Sequence, residues 1–444
     1  WKCGQEASFR VMNLALTSKI LQQDQESSLN LCELVRTHLK RIAPTLQYAL
    51  AQDNNHGTSE AAALFIGGSW LYKHEKDSES KAWMTIGSKF INERAQKLIM
   101  PDGSFSQYSV NYHRLMLETY CLVQLWSDWN ELTALEPQTK LSLQRTSFWL
   151  YHMTHEDVGK TPNIGHNDGA RLFPLCESEY SDYRPTVQLA YALFYNQRAY
   201  RARGAYDLRL ELFDLQPREV AAPKKSVDFN YGGYAYLQND TASVILKYPK
   251  YQFRPSHSDA LHVDLWINGV NYLRDAGSYS YNCSDKELQS FFPSTAAHNT
   301  IEFDHQDQMP RISRFLFGDW LQAKTTQSLE NNEFTAEYKN SFGNFHKRKI
   351  QLSKHSLRVH DTFSGIAENA ILRWRLNPCD QWILNKNSIY STKFKINISS
   401  KDISYAPRLT QSHESLKYLQ TQPIPIVEVE LKQAGTITTE FTWS

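Results

Sequence analysis

Apolar residues in the first half of the chain recur three and four positions apart, which places them along one face of an α-helix. Polar loops that carry Gly or Pro separate these stretches. We expect helices over residues 9–21, 29–39, 59–73, 81–99, 112–129, 137–153 and 186–201. Serial helices without a strict short repeat favour an α/α toroid of antiparallel helices over a solenoid. The helical half is short for a full toroid, so we expect an incomplete one that lacks N-terminal helices.

In the second half, apolar and polar residues alternate, which is typical of strands with one buried face. A short apolar run predicts a strand at residues 244–248, and the alternation predicts strands at residues 261–267, 300–304, 349–353, 356–361 and 427–431. Asn268-Gly269 predicts a tight hairpin turn after one of them. The prediction is a multidomain chain, α then β. It has a toroid domain over 1–214, a linker over 215–226 and a large antiparallel β-sandwich over 227–444.

Composition narrows the class of protein. The 444 residues carry a net charge of +1, which gives no global field for nucleic acid or a membrane surface. No run of about 18 apolar residues occurs, so we expect no transmembrane helix. The six cysteines form no CxxC pair, which argues against a zinc ribbon or a thioredoxin-like centre and for free thiols. Aromatic residues make up 13% of the chain, either in large cores or along a carbohydrate groove.

Asn55 and His56 stand where a predicted helix begins, and Glu60 follows four residues after the histidine. Residues four apart share a helix face. Polar donors at a helix start can hold an anion, because the positive end of the helix dipole lies there. The alternative is an N-cap asparagine beside a solvated histidine.

Tyr112 follows a Gly-containing turn, with Arg114 two residues on. A tyrosine near a cation can act as both base and acid, and an arginine fork matches the geometry of a sugar carboxylate. The alternative is a tyrosine that simply packs in a core. In the β half, histidines and aspartates recur between residues 254 and 299, and two imidazoles with a carboxylate are a plausible zinc set with one open position.

Several segments together resemble the heparinase II/III family of polysaccharide lyases. They fall in the family's order over roughly residues 1–310, and their sequences are Asn55-His56-Gly-Thr-Ser-Glu60, Asp102-Gly-Ser-Phe-Ser-Gln-Tyr-Ser-Val-Asn-Tyr112-His113, Asn167-Asp168-Gly169-Ala, Asp259-Ala-Leu-His-Val-Asp-Leu-Trp, Arg274-Asp-Ala-Gly-Ser-Tyr279 and Ser294-Thr-Ala-Ala-His298-Asn-Thr. The resemblance implies a toroid followed by antiparallel sheets with the cleft between them. It also implies β-elimination on a uronic-acid polysaccharide.

Carried over by motif, the resemblance implies roles for individual residues. Asn55 and His56 would neutralise the substrate carboxylate, and Tyr112 would serve as catalytic acid and base. A structural zinc would be held by His257, Asp275 and His298. We expect Glu60, Arg114, Arg254 and Tyr279 to contact the substrate.

One position departs from the family pattern. Members often carry His-x-His-x-Asp before a β-strand, and here Pro255 stands at the first of those histidines. The proton transfer would then fall on Tyr112 and His56, with Arg254 handling charge, or the activity would be altered or lost.

We therefore predict a bacterial polysaccharide lyase that acts on an acidic polysaccharide, periplasmic or secreted, with the oligomeric state left open. A glycoside hydrolase on a similar toroid is the first rival, and it would need two carboxylates, for which Glu60 and Asp102 are the candidates. A non-catalytic glycan-binding protein of capsule or exopolysaccharide production is the second, and Pro255 is its best support.

Overall fold

The computed structural model describes residues 3–444, apart from the side chains of residues 327 and 328. The chain divides into two compact units. The helical unit comprises the chain up to Ser106 together with Asn111–Thr161 and Ala170–Ala222, and the β unit comprises Gln107–Val110, Pro162–Gly169 and Pro223–Ser444. The division at Ala222 falls inside the predicted linker, and two short segments of the first half belong to the β unit.

Helices build the helical unit, as the three- and four-residue spacing predicts. They are α1 (Gly4–Ile20), α2 (Leu29–Ile42), α3 (Leu46–Ala51), α4 (Asn55–Glu75), α5 (Ser78–Leu98), α6 (Val110–Trp129), α7 (Pro137–Met153), α8 (Arg184–Tyr195) and α9 (Leu208–Leu212), and α10 (Lys286–Phe291) follows in the β unit. Helix α8 ends six residues before the predicted boundary. Asn196 adopts the left-handed conformation there (φ +55°) and closes the helix.

Two glycines bring α4 and α5 into close backbone contact, and a third brings α4 close to α1 and α2. A Cβ atom on Gly87 of α5 would lie 2.3 Å from the backbone nitrogen of Phe65, and one on Gly68 of α4 would lie 2.6 Å from that of Met84. A Cβ atom on Gly67 would lie 2.9 Å from side-chain atoms of Val11 on α1 and of Leu39 on α2. Any larger residue at these positions would push the helices apart. Helix α4 is therefore fixed on several sides, and its first turn carries Asn55 and His56.

Antiparallel strands build the β unit. The strands in chain order are β1 (Gln197–Arg198), β2 (Glu219–Val220), β3 (Val227–Phe229), β4 (Tyr234–Gln238), β5 (Ala242–Lys247), β6 (His262–Ile267), β7 (Val270–Leu273), β8 (Ile301–Phe303), β9 (Arg311–Ser313), β10 (Leu316–Phe317), β11 (Lys324–Ser328), β12 (Glu333–Lys339), β13 (Phe345–Ser353), β14 (Ser356–Ser364), β15 (Ala370–Arg375), β16 (Ile383–Asn385), β17 (Ser388–Tyr390), β18 (Phe394–Ser399), β19 (Ala406–Lys417), β20 (Gln420–Leu431) and β21 (Gly435–Trp443). The short parallel pair β1–β2 lies in the helical unit. Each predicted strand overlaps an observed one.

Three sheets form the core of the β unit. Their strand orders are β3-β4-β5-β6-β7, β19-β20-β15-β8 and β11-β12-β13-β14-β21-β18-β17-β16. The eight-stranded sheet packs on the other two: Phe441 meets Trp374 of the four-stranded sheet at 5.0 Å between ring centroids, and Phe334 stacks on Tyr248 beside the five-stranded sheet at 5.1 Å. Such face-to-face packing is a sandwich.

The predicted Asn268-Gly269 turn joins β6 to β7. Both residues have positive φ (+48° and +76°), as a two-residue turn of this handedness requires. Strand β6 is buried on both faces, and it ends at this turn. The hairpin sets the positions of His262 on β6 and of Asp275 just after β7.

The six cysteines are free thiols, as expected. Within residues 3–444, no helix combines the length and the apolar character that crossing a membrane requires.

Candidate functional site

The first turn of α4 places two of the predicted catalytic residues at a helix N-terminus. Asn54 is the N-cap, and its side chain accepts a hydrogen bond from the backbone nitrogen of His56 at 2.9 Å. Asn55 is the first helical residue and is 4% exposed, whereas His56 is partly exposed. Asn54 is the N-cap residue, so the alternative role of N-cap does not apply to Asn55. The 21-residue helix directs its positive dipole end to this turn.

Tyr112 also lies in the first turn of a long helix. Helix α6 begins at Val110, two residues earlier than predicted, and Tyr112 is 9% exposed. The preceding turn is closed by Asp102, whose Oδ1 accepts from the backbone nitrogen and hydroxyl of Ser104 at 3.0 and 2.6 Å. Gly103 (φ +89°) leaves no room for a Cβ, which would lie 2.2 Å from the carbonyl oxygen of Arg145. Asp102 thus has a local role in the turn.

Arg114 is fully buried in the helical unit. Its guanidinium donates to the carbonyl oxygen of Tyr180 at 2.6 Å and to Oδ1 of Asn111 at 2.7 Å. It also lies over the rings of Tyr180 and Tyr183, at 4.4 and 4.1 Å. These contacts hold the buried cation by packing and hydrogen bonding, and its Nε alone lacks a hydrogen-bond partner among the described residues. We therefore leave Arg114 out of the proposed substrate-binding set.

Glu60 is also buried, at 3% exposed, and its Oε2 atom lacks a hydrogen-bond partner among the described residues. A Cβ atom on Gly4 would lie 2.3 Å from its Oε1, so the carboxyl group packs directly on the first residue of α1. Burial raises the pKa of Glu60 to about 7, and the positive charge of Arg41 opposes this only partly. A side chain packed in this way does not face a glycan, so Glu60 also leaves that set.

The β unit contains a cluster of three fully buried histidines, His257, His262 and His298, which we call the imidazole cluster. The ring centroids of His257 and His298 are 5.3 Å apart, and those of His262 and His298 are 5.8 Å apart. Among the described residues, neither ring nitrogen of His257 has a hydrogen-bond partner, and nor do Nε2 of His262 and Nε2 of His298. Buried polar atoms are rarely left unpaired, so the nitrogens of His257 and His298 fit a metal ion.

Two aspartates compete to complete the metal set. Ligand atoms lie within 4.8 Å of one another in His257, Asp259 and His298, and again in His262, Asp275 and His298. The predicted trio of His257, Asp275 and His298 is divided between these two groups. Asp259 accepts from Lys247 and, at 3.0 Å, from Tyr251, so both of its oxygens are already engaged.

Asp275 is better suited than Asp259 to an ion, because Asp259 bonds the ammonium group of Lys247, whereas the described ion partners of Asp275 are histidines. One of its oxygens accepts from the backbone nitrogen of Gly277 at 2.8 Å, and the other lies 2.9 Å from Nδ1 of His298. Burial alone would raise the pKa of Asp275, but the neighbouring His298 and His262 hold it below its usual value. Burial also lowers the pKa of His257. An ionised carboxylate and a neutral imidazole are the forms that metals bind.

His262 is a poor ligand despite its place in the second group. Its Nδ1 accepts a hydrogen bond from the backbone nitrogen of Asn299 at 3.0 Å, so the hydrogen of the neutral ring is on Nε2. That nitrogen lies 3.7 and 3.8 Å from the carboxylates of Asp275 and Asp264. His262 is thus suited to orienting the carboxylates.

The other predicted residues of the β unit are close in sequence to members of this cluster. Arg254 is exposed, and Pro255 is buried. Tyr279 is partly buried, has a left-handed backbone (φ +54°) and packs on Phe292 at 5.7 Å between centroids. Arg254 and Tyr279 therefore keep some surface available to a ligand.

His166 is a residue that sequence reasoning missed. Its ring meets that of His257 edge-on, with centroids 5.1 Å apart. Burial lowers the pKa of His166 to about 3, and the positive charge of Arg254 adds to this effect. Its position beside the quoted Asn167-Asp168-Gly169 motif was the available signal. The ring of His166 thus lies next to His257, although residue 255, where family members often have a histidine, is a proline.

Comparison with solved structures shows the fold. The chain matches heparinase III with a TM-score of 0.73 and 16% identity over 99% of this chain and 69% of that one. It matches a mutant of heparan sulfate lyase HepC from Pedobacter heparinus with a TM-score of 0.70 and 18% identity, over 99% and 68%. Chondroitin AC lyase from Streptomyces coelicolor A3 matches with a TM-score of 0.59 and 11% identity, over 93% and 63%. The predicted helical toroid followed by a β-sandwich is thereby confirmed.

The sequence itself matches two family descriptions. Residues 6–162 match the heparinase II/III N-terminus, and residues 221–421 match the heparinase II/III-like C-terminal domain. Among curated proteins, none matches the chain. Because both halves of the family pattern occur in order and cover most of the sequence, the chain belongs to the heparinase II/III family of polysaccharide lyases.

Proposed function

We propose that this lyase cleaves a uronate-containing glycan by β-elimination, with Asn55, His56 and Tyr112 as its catalytic residues. The observation that carries the proposal is the placement of all three in the first turns of long helices, α4 and α6. The positive end of a helix dipole stabilises negative charge. An elimination needs such stabilisation twice, for the uronate carboxylate and for the base that removes its neighbouring proton.

The reaction follows from what these groups can do. The side chains of Asn55 and His56 donate hydrogen bonds to the carboxylate of the uronate, which makes the proton on C5 more acidic. Tyr112, as the phenolate, takes that proton, and the electron pair left on C5 forms the double bond to C4. The bond from C4 to the bridging oxygen breaks, and Tyr112 returns the proton to that oxygen. The products are a new chain end and an unsaturated uronate.

Typical rate contributions of such groups indicate how much each residue would add to catalysis. Positioned acid–base groups contribute roughly 10²–10⁴-fold in rate. Donors aimed at developing charge contribute on the order of 10²–10³-fold each. Asn55 and His56 would therefore matter about as much as Tyr112, through stabilisation of the charge on the carboxylate.

The proposed substrate is an acidic polysaccharide. Two of the structural relatives are named for heparan sulfate and chondroitin. Arg254 and Tyr279 are the proposed contacts on the β unit, since both keep accessible surface. The proposed compartment is the periplasm or the exterior of a bacterium, where such polymers occur.

A metal belongs to the proposal as a structural element. His257 and His298, with Asp275 as the carboxylate, would hold a zinc ion, for which imidazole and carboxylate are suitable ligands. Zinc, when bound, would supply charge compensation for buried groups and fix the loops after β7 and before β8. The residues of the chain alone carry the proton transfers.

A screen of glycans tests the proposal. The full chain is incubated with alginate, hyaluronan, chondroitin sulfate and heparan sulfate, and the ultraviolet absorbance of the unsaturated uronate is followed. We expect at least one of them to yield this product. Binding of a polyuronate without any cleavage would instead support a glycan-binding protein.

A further inference from the structure

A small pocket of the β unit lies against the imidazole cluster and has not been assigned a role. It is lined among others by His166, His257, Tyr281, Arg311, Arg314 and Phe315. Its free space is about 20 Å³, which is room for one water molecule. A whole sugar ring does not fit in this space, so any part of a glycan that enters it is a single small substituent.

The charges around this pocket favour an anion. Two arginines line it, and its described lining contains no carboxylate. Arg311 uses Nη1 to bond the carbonyl oxygen of Ser290 at 3.1 Å, and Arg314 uses Nη1 to bond Asn282. A guanidinium has five N–H donors, so each arginine keeps donors for a ligand. The half-buried Asp307 accepts a hydrogen bond from the backbone nitrogen of Thr295 and does not line the pocket.

A second observation points to a ligand in the same place. His257 lines the pocket, is fully buried, and has no partner for either ring nitrogen among the described residues. A metal ion would use one of these nitrogens and leave the other. An oxygen atom in the pocket would satisfy it, whereas an empty apolar pocket would leave a buried polar atom unpaired.

Aromatic contacts hold the pocket in shape. The ring of His166 meets that of Tyr281 at 5.1 Å and that of Phe315 at 5.9 Å, and Tyr281 meets Phe315 at 5.4 Å, all edge-to-face. Phe315 is 37% exposed, so it forms part of the rim. Such a flat, partly exposed ring suits the apolar face of a sugar.

We propose that this pocket binds one oxyanion of the glycan, a carboxylate or a sulfate, with Arg311 and Arg314 as its ligands and His166 and Phe315 as its walls. This subsite rests on the proposed action on an acidic polysaccharide and adds residues that the sequence did not single out. Two arginines at one anion give charge-assisted hydrogen bonds, which are stronger than neutral ones.

Binding of small probes to the full chain tests the subsite without requiring catalysis. Calorimetry would compare methyl glucuronide with methyl glucoside, and N-acetylglucosamine 6-sulfate with N-acetylglucosamine. The same titrations would use Arg311→Gln, Arg314→Gln and the double variant. Arg358→Gln is the matched control, because Arg358 is an exposed arginine paired with Glu440 on the eight-stranded sheet. Melting curves would verify that each variant is folded.

We expect at least one charged probe to bind about tenfold or more tightly than its neutral partner, and the double variant to lose that preference. The probe that binds identifies the oxyanion as carboxylate or sulfate. The control variant should bind within about twofold of the parent. The proposal is overturned if neither charged probe is preferred, or if the double variant binds as the parent does.

Kinetics separate this proposal from the lyase proposal. On a glycan that the parent cleaves, the double variant should raise KM about tenfold and leave kcat within about twofold. Preference for a charged probe in a chain that cleaves no glycan would leave the subsite supported and the lyase mechanism refuted. Normal cleavage with an unchanged KM in the double variant would refute the subsite alone.

Discussion

Two groups of polar residues in this chain differ in their place in the fold and in their exposure to solvent. The helix-start group, Asn55, His56 and Tyr112, lies in the first turns of α4 and α6. His56 is partly exposed, whereas Tyr112 is 9% and Asn55 4% exposed. The imidazole cluster of the β unit, by contrast, is fully buried. Both groups have the residue types of an active site. Their surroundings assign them different roles.

The difference shows how burial helps to distinguish residues that can act on a substrate from residues that stabilise the fold. A group that acts on a polymer must reach it, and a residue at a helix start can do so with the dipole behind it. A fully buried imidazole with unpaired nitrogens instead meets another buried partner, for which a metal ion is the best fit. We therefore propose proton transfer for the first group and structural stabilisation for the second.

The largest effect should come from Tyr112→Phe. Removal of the hydroxyl abolishes proton transfer, so we expect the rate of unsaturated-product formation to fall by roughly 10²–10⁴-fold. The measurement is the ultraviolet rate on a glycan that the parent cleaves.

The matched control is Tyr195→Phe, whose hydroxyl bonds the carbonyl oxygen of Gln144 within the helical unit. This variant should keep the parent rate within a few-fold. Equal losses in both variants would mean that Tyr112 acts through stability alone, and the distinction between the two groups would fail.

The second effect should come from His298→Ala. Loss of this imidazole removes a metal ligand and leaves Asp275 buried without its partner, so we expect loss of bound zinc and a drop in stability of about 3 kcal/mol. Metal analysis and melting curves with and without a chelator measure both.

His346→Ala provides the control, because His346 is equally buried and bonds Asp361 at 2.8 Å outside the cluster. It should lower stability and keep the zinc content. A parent protein purified with zinc available that contains none would contradict the metal assignment.

The smallest effect should come from Glu60→Gln, which tests burial inside the helical unit. The pKa of Glu60 is about 7 in the folded chain and about 4.5 in the unfolded one, so the unfolded state releases the proton more readily. Glu60 therefore costs the parent stability as pH rises between these values. We expect the glutamine variant to gain about 1–3 kcal/mol relative to the parent between pH 4.5 and 7.5.

Glu118→Gln should behave in the opposite way. Burial would raise the pKa of Glu118, but Arg209 at 3.0 Å and Arg114 hold it below its usual value. This carboxylate stabilises the fold above its unfolded pKa, so its loss should destabilise the chain at neutral pH. The Glu60→Gln variant should still cleave the glycan. If it loses cleavage while Tyr112→Phe stays active, the glycoside hydrolase would be favoured.

Much of the fold was predictable from local pattern. Strands such as β14 alternate buried and exposed residues, and the Asn268-Gly269 turn has the backbone that its residues favour. The apolar spacing places the start of α4 at residue 59, four residues late, whereas the asparagines mark its true start at Asn55. The end of α8 was not predictable, because Asn196 stops that helix through a left-handed conformation that the apolar spacing does not encode.

The site was harder to predict, because burial and long-range contact are not local. Arg114 reads as a carboxylate ligand in the sequence, yet Tyr180 and Tyr183 enclose it. His166 is a single histidine in a loop, and only the folded chain brings it to His257. The sequence likewise does not show that both Asp259 and Asp275 lie near His298, or that Lys247 bonds Asp259.

The central claim is cleavage by elimination, and the origin of the oxygen in the products tests it most directly. The glycan is cleaved in water labelled with heavy oxygen, and the masses of both product ends are measured. Elimination adds no water, so we predict unlabelled products, one of which carries an unsaturated uronate. Labelled oxygen at the new chain end, with a saturated sugar on the other side, would contradict the account and identify a hydrolase.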